Sequence, residues 1–177
     1  MKVEEGTGAL YASPRHVRAG LLALEELIEG ARPGPASVKA ALKPGDVLIN
    51  LRGDENATAV VPLISDDGPV YVTLDVGVIR PDRDRVDPHY LAAWLGLPAT
   101  QASLSADREG SRVPRLSLRA LSELAVPLPP LERQRRFGAL HTEVVRERAL
   151  RNQIAEARER LLHELLRRSA EEPAPGM

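Results

Sequence analysis

Asp82, Asp84 and Asp87 begin with the carboxylate spacing of a calcium-binding loop, which would hold the ion through side-chain oxygens on alternating residues. That chemistry also needs a glycine for the sharp turn and a distal glutamate to close the coordination sphere, and neither follows at the required place. The three aspartates therefore read as turn and helix-cap residues. A metal-dependent nuclease of the common kind carries a lysine after its metal-binding acids, whereas Lys2, Lys39 and Lys43 all precede Pro81-Asp82. His16, His89, His141 and His163 lie far apart on unlike elements, so no metal site is expected from them. No cysteine is present, which excludes a thiolate nucleophile, a zinc ribbon and a disulfide framework. Phosphate-loop, dinucleotide-binding and serine-elbow motifs are missing too, so the sequence implies no catalytic residue and no cofactor.

Arginine is the remaining chemistry. Only three of the 24 basic residues are lysines, and arginines cluster at Arg80, Arg83 and Arg85 and again at Arg108, Arg112, Arg115 and Arg119. The planar guanidinium suits bidentate contacts to phosphate and guanine. A GC-rich coding sequence accounts for an arginine bias as well. Net charge is −1, so any nucleic-acid role rests on local placement rather than on a general positive field. Aromatic content of 3% disfavours a single-strand binder that stacks bases on exposed rings.

These residues need elements to position them. His16 to Glu29 places Val17, Leu21, Leu24, Leu27 and Ile28 at helical spacing, interrupted by Gly20, and predicts a helix. Pro44-Gly45-Asp46 delivers an apolar strand over 47–51, residues 59–64 resume strand character, and Val70 to Ile79 alternates as one further strand. Asp87 before Pro88 predicts a capped helix with an apolar face at Tyr90, Leu91, Trp94 and Leu95. A second short helix is expected over 99–104, another capped by Ser117, and a last strand over 124–128. The fold class is α+β, with a mixed, mainly antiparallel sheet and short helices, followed by a long C-terminal helix that forms an antiparallel coiled coil.

The boundary is drawn by Val126-Pro127-Leu128-Pro129-Pro130. Prolines lack the N–H a helix interior needs, so a helix starts only after Pro130, and from Leu131 to Ala170 no proline interrupts it. Such a helix is on the order of 60 Å long. The expected organisation is a globular domain over 1–130, the arm over 131–170 and a disordered tail over 171–177. Phe137, Leu140 and Val144 recur near a 3.5-residue period that continues into Ile154, Leu161 and Leu165, with Leu150 and Ala157 beside the seam where it turns polar. The second half of this pattern lies around the helix from the first. The first half is therefore expected to pack on its own domain, and Leu150, Ile154, Ala157, Leu161 and Leu165 to meet another helix. Glu132–Arg136, Glu147–Arg151, Glu156–Arg160 and Glu164–Arg168 are spaced to pair along exposed faces. Arg133, Arg135 and Arg136 oppose the helix dipole at its start, which a partner or nucleic acid would explain.

Taken in order, Leu42-Lys43-Pro44-Gly45-Asp46-Val47-Leu48-Ile49, Val78-Ile79-Arg80-Pro81-Asp82, Asp87-Pro88-His89-Tyr90-Leu91, Gly110-Ser111 and Leu124 to Gln134 resemble the DNA specificity subunit of type I restriction-modification systems, over nearly the whole chain. The most specific part is the proline run that ends in Glu132-Arg133-Gln134 and enters the long helix. The resemblance implies a target recognition domain that reads half of a bipartite site in double-stranded DNA. It implies a helix that pairs with its counterpart and docks DNA adenine methyltransferase subunits, with a restriction subunit as a further partner. The usual subunit carries two domains and two helices. This chain has one of each, so a homodimer through the C-terminal helix is expected, without catalysis of its own. Loop position and chemistry single out Arg52, Asn56, Arg108, Arg112 and Arg115 as DNA contacts. No apolar run long enough for a membrane span and no signal-peptide core occur in the sequence, so a cytoplasmic location without membrane contact is expected. Two other readings stay open: a coiled-coil scaffold that never touches DNA, and an enzyme recognisable by a deep pocket with clustered, perturbed carboxylates.

Overall fold

The computed structural model describes residues 8–18, 20–31, 33, 41–53, 56–64, 68–106, 108–109 and 115–171, with the backbone alone at 108–109 and 170–171. The expected disordered tail lies outside them from residue 172 on. The chain divides into two compact units, Met1–Thr142 and Glu143–Met177.

In the first unit, β1 (Ala9–Ala12) pairs antiparallel with β4 (Ile28–Gly30) and parallel with β7 (Val70–Val72). Between β1 and β4 the chain forms β2 (Val17–Arg18) and β3 (Leu21–Leu22), with 3-10 turns at Pro14–His16 and Leu24–Glu26. The helix expected over 16–29 is thus replaced by two short hairpin strands. Arg18 pairs with Leu21, and Gly20 lies in the turn at φ 103°, a conformation that favours glycine. The helical spacing of Val17, Leu24 and Leu27 survives only as burial, since all three pack into one core cluster.

A second sheet holds β5 (Val47–Asn50) between β6 (Thr58–Val60) and β8 (Val76–Ile79), both antiparallel to it. All four residues of β5 are buried. Leu48 belongs to the cluster with Val61, Val70 and Val76, Val47 packs with Leu91 and Leu95, and Ile49 packs with Leu104 and Leu116. A strand covered on both faces reads as an unbroken apolar run, which is why 47–49 does not alternate. The single strand expected over 70–79 is two strands in different sheets. Val76 N–H donates to Thr73 O at 3.1 Å, and the turn at Thr73–Asp75 passes the chain from one sheet to the other.

The helices follow the caps read from the sequence. In α1 (Pro88–Leu95) the Asp87 carboxylate accepts from Tyr90 N–H, and in α3 (Leu118–Glu123) the Ser117 hydroxyl accepts from Ala120 N–H. Between them lie α2 (Pro98–Ala106) and the hairpin of β9 (Arg108–Glu109) and β10 (Arg115–Leu116). Residues 124–128 form no strand. Leu124 and Val126 still pack against the core, so their alternation reflects burial, with no strand paired to them among the described residues. The helix α4 (Leu131–Glu171) starts one residue after Pro130. No helix among the described residues is long and apolar enough to cross a membrane.

Candidate nucleic-acid interface

Two of the five predicted DNA contacts come together. Arg52 follows β5 and Arg115 opens β10, and an antiparallel bridge joins them, supported by Leu116 N–H donating to Leu51 O at 2.9 Å. Arg52 Nε lies 3.1 Å from Asp75 Oδ1, and Arg115 Nη2 donates to Leu74 O. Both arginines thus grip the turn between β7 and β8, with half of the Arg52 side chain open to solvent (48%). Glu109 and Arg108 pair in register with Arg115 and Leu116, which places the Arg108 backbone beside the same edge. Arg112 lies outside the described residues.

Asn56 requires correction. It sits in a loop, as expected, but is 1% exposed. Its Nδ2 donates to Asn50 O at 2.6 Å, while its backbone N–H and carbonyl are bound by Gln101, which accepts and donates at 3.1 Å. Gln101 fixes the loop to α2 through its backbone, and the buried Asn56 amide, bound to the Asn50 carbonyl, has no exposed face for a base. Gln101, absent from the sequence reading, also donates to Leu95 O at 2.7 Å.

Four of the five segments that carried the family resemblance bind one another, and Gly110-Ser111 lies outside the described residues. Arg80 makes a bidentate pair with Asp46, Nε to Oδ1 and Nη2 to Oδ2 both at 2.7 Å, and Asp46 Oδ2 also accepts from Lys43 N–H at 2.8 Å. The bond to Asp46 raises the Arg80 pKa further above its ordinary value. Arg83 Nη2 donates to Pro44 O at 2.9 Å, so the Pro-Gly-Asp turn is held from two sides.

Five residues past Pro129, Gln134 is 1% exposed. Its Oε1 accepts from Asp87 N–H at 3.0 Å, and its Nε2 donates to Arg85 O at 3.0 Å and Pro129 O at 2.8 Å. One turn on, a Cβ on Gly138 would meet Asp87 Oδ1 at 2.4 Å and Tyr90 N at 3.0 Å, so only glycine lets the helix backbone come this close to α1. Another turn on, Thr142 Oγ1 lies 3.1 Å from His89 Nδ1. Gln134, Gly138 and Thr142 recur every four residues and form the docking stripe of α4 within the first unit. Hydropathy could not reveal it, because none of the three is apolar. Tyr90 completes the junction, donating from its hydroxyl to Pro127 O at 2.7 Å. Of the three arginines at the helix start, Arg133 covers the Phe137 ring at 5.6 Å, Arg136 pairs with Glu132, and Arg135 lines a groove of about 410 Å³ with Arg83 and His89.

In the second unit, Leu150, Ile154, Leu161 and Leu165 are each more than half exposed, as are Leu162 and Leu166, which the sequence reading passed over. Ala157 is exposed as well. The expected Glu–Arg pairs form at Glu147–Arg151, Glu156–Arg160 and Glu164–Arg168.

Among the described residues, no three histidine, aspartate or glutamate side chains stand close enough to hold a metal ion. A groove of about 890 Å³ between α2 and α3 has Glu123 as its carboxylate, and that is paired with Arg119 at 2.9 Å.

No family model and no curated protein matches the chain. Solved structures do. The HsdS subunit of Thermoanaerobacter tengcongensis matches with a TM-score of 0.60 and 23% identity, covering 97% of this chain and 45% of that one. A chain from a structure of the type I R-M system, concerned with its complex assembly and conformational transition, matches with a TM-score of 0.64 and 24% identity over the same shares. The chain therefore has the fold of the HsdS specificity subunits of type I restriction-modification systems, and it spans about half their length.

Proposed function

We propose that this chain is a DNA recognition subunit of a type I restriction-modification complex, non-catalytic itself, with methylation and cleavage supplied by partner subunits. The observation that supports the reading is the likeness to HsdS over 97% of this chain and 45% of the neighbour; on our reading the shared part is one recognition domain with one arm. One domain reads one half-site through the edge that holds Arg52 and Arg115, with Arg108 and Arg112 beside it in sequence. A single half-site gives little discrimination, since each base pair contributes about 1–3 kcal/mol against a genome of competing sites. Two copies paired through Leu150, Ile154, Ala157, Leu161 and Leu165 would read a palindromic split site. The arm would also dock an adenine methyltransferase.

The test is a fluorescence titration of the full chain with duplex DNA across a salt series, alone and with a cognate adenine methyltransferase. Binding that weakens linearly in log salt, and that favours a sequence enriched from a random pool, supports the reading. The exposed, unpaired leucines of the arm favour one alternative, a dimerising scaffold. That alternative holds if the chain dimerises and no salt-dependent DNA binding appears with or without the methyltransferase.

A further inference from the structure

Leu74 is 86% exposed at the tip of the turn between β7 and β8. Isolated exposed leucines are common, so exposure alone says little. What sets this one apart is the rigidity of its backbone and the identity of the groups that hold it. Thr73 N–H donates to Ala12 O at 2.9 Å, and Leu51 N–H donates to Asp75 O at 2.9 Å. Arg115 binds the carbonyl of Leu74 itself, and Arg52 pairs with the next side chain, Asp75. An apolar side chain thus stands in water on a turn whose backbone and neighbouring carboxylate are held by two guanidinium groups. Burial would stabilise it only against another molecule.

We propose that Leu74 contacts a base directly, meeting the C5-methyl group of a thymine in the major groove, with Arg52 and Arg115 as the positioning residues of its turn. The inference rests on the reading of the chain as a duplex recognition subunit. Among the groups that base edges present in the major groove, the thymine methyl is the apolar one, and a flanking pair of arginines matches the anionic surround.

The experiment uses the full chain and a duplex enriched from a random pool. Leu74→Ala is expected to weaken binding to that duplex about tenfold, within the range of one lost base contact, and to leave an unselected duplex and the salt slope unchanged. Leu74→Met should restore most of the loss. Replacing one thymine by uracil should reproduce the tenfold loss with wild-type protein and add nothing with Leu74→Ala. The inference is overturned if Leu74→Ala keeps both affinity and preference, or if no thymine couples to it. Wild-type protein that shows no salt-dependent binding or no preferred sequence overturns the parent reading as well, which separates the two failures.

Discussion

The side-chain amide of Gln134 accepts the backbone N–H of Asp87 at 3.0 Å, while the carboxylate of Asp87 accepts from Tyr90 N–H at 2.8 Å. The first turn of α1 and the first turn of α4 therefore share one knot within the first unit. Pro129 contributes its carbonyl to the same amide. The prolines decide where the helix can start, and Gln134 ties its first turn to α1.

Replacing Gln134 tests this directly. Gln134→Leu keeps the bulk but strands Asp87 N–H and the carbonyls of Arg85 and Pro129, at a cost of about 2–4 kcal/mol. Gln134→Glu keeps the acceptor for Asp87 yet sets a carboxylate against the two carbonyls, so it should also destabilise. Urea unfolding monitored at Trp94 reads the loss, and amide exchange at Asp87 should quicken most in Gln134→Leu, which removes its acceptor. A midpoint unchanged in Gln134→Leu would refute the knot.

Gly138 carries the second prediction. An added methyl group meets the Asp87 carboxylate and the Tyr90 amide together, so relief by moving the carboxylate breaks the α1 cap. Gly138→Ala should destabilise by about 1–3 kcal/mol, although alanine is the better helix former. Gly→Ala at an open helix site would instead stabilise by about 1 kcal/mol, so the sign of the change distinguishes the two situations.

Much of this arrangement was legible beforehand and some was hidden for reasons that can be named. Caps are local, and Asp87, Ser117 and the start at Leu131 stand where side-chain chemistry put them. Strand partners are not local. Residues 124–128 alternate and pack as a strand would, yet among the described residues no strand pairs with them. Thr73-Leu74-Asp75 contains neither glycine nor proline, and Asp75 alone was too weak a signal to mark a turn between two sheets. Over 16–29 the helical spacing was outweighed by the positive φ of Gly20 and by pairing of Val17 with Leu22. Asn56 looked like a solvated loop residue because Gln101, which buries it, is 45 residues away. Likewise the docking stripe of α4 is built from an amide, a glycine and a hydroxyl, groups that a search for apolar periodicity overlooks.

His16 supplies a pH-dependent prediction. Its side chain is buried, and Ser13 N–H at 2.8 Å and Arg15 Nε at 3.0 Å point at its two ring nitrogens. Burial, and after it the Arg15 charge, hold its pKa below the ordinary histidine value. The unfolded chain therefore takes up this proton more readily than the folded one. The stabilisation is complete above the unfolded pKa of about 6.5 and is lost as pH falls below it toward the depressed folded value. Denaturation midpoints should decline from pH 7 to pH 5, and His16→Gln should flatten that decline even if it lowers stability at pH 7. An equal slope in the variant would assign the decline to other groups.

The last prediction concerns the arm. Leu150, Ile154, Leu161, Leu162, Leu165 and Leu166 expose apolar surface along five turns of one helix, and the Glu–Arg pairs that accompany them lie in solvent and stabilise it little. A helix with so little local stabilisation and so much exposed leucine is best stabilised by a partner helix. Ile154→Asp with Leu161→Asp places two charges on the seam and should convert a dimer to a monomer in sedimentation velocity. The first unit should keep its unfolding midpoint, because Gln134, Gly138 and Thr142, which dock the start of α4 there, are untouched. Leu162→Asp with Leu166→Asp gives the needed contrast. If the seam runs through Leu150, Ile154, Ala157 and Leu161, this second pair should weaken self-association less than the first. A dimer that survives Ile154→Asp with Leu161→Asp but falls to Leu162→Asp with Leu166→Asp would move the interface to the neighbouring stripe, and one that survives both would remove the arm from dimerisation altogether.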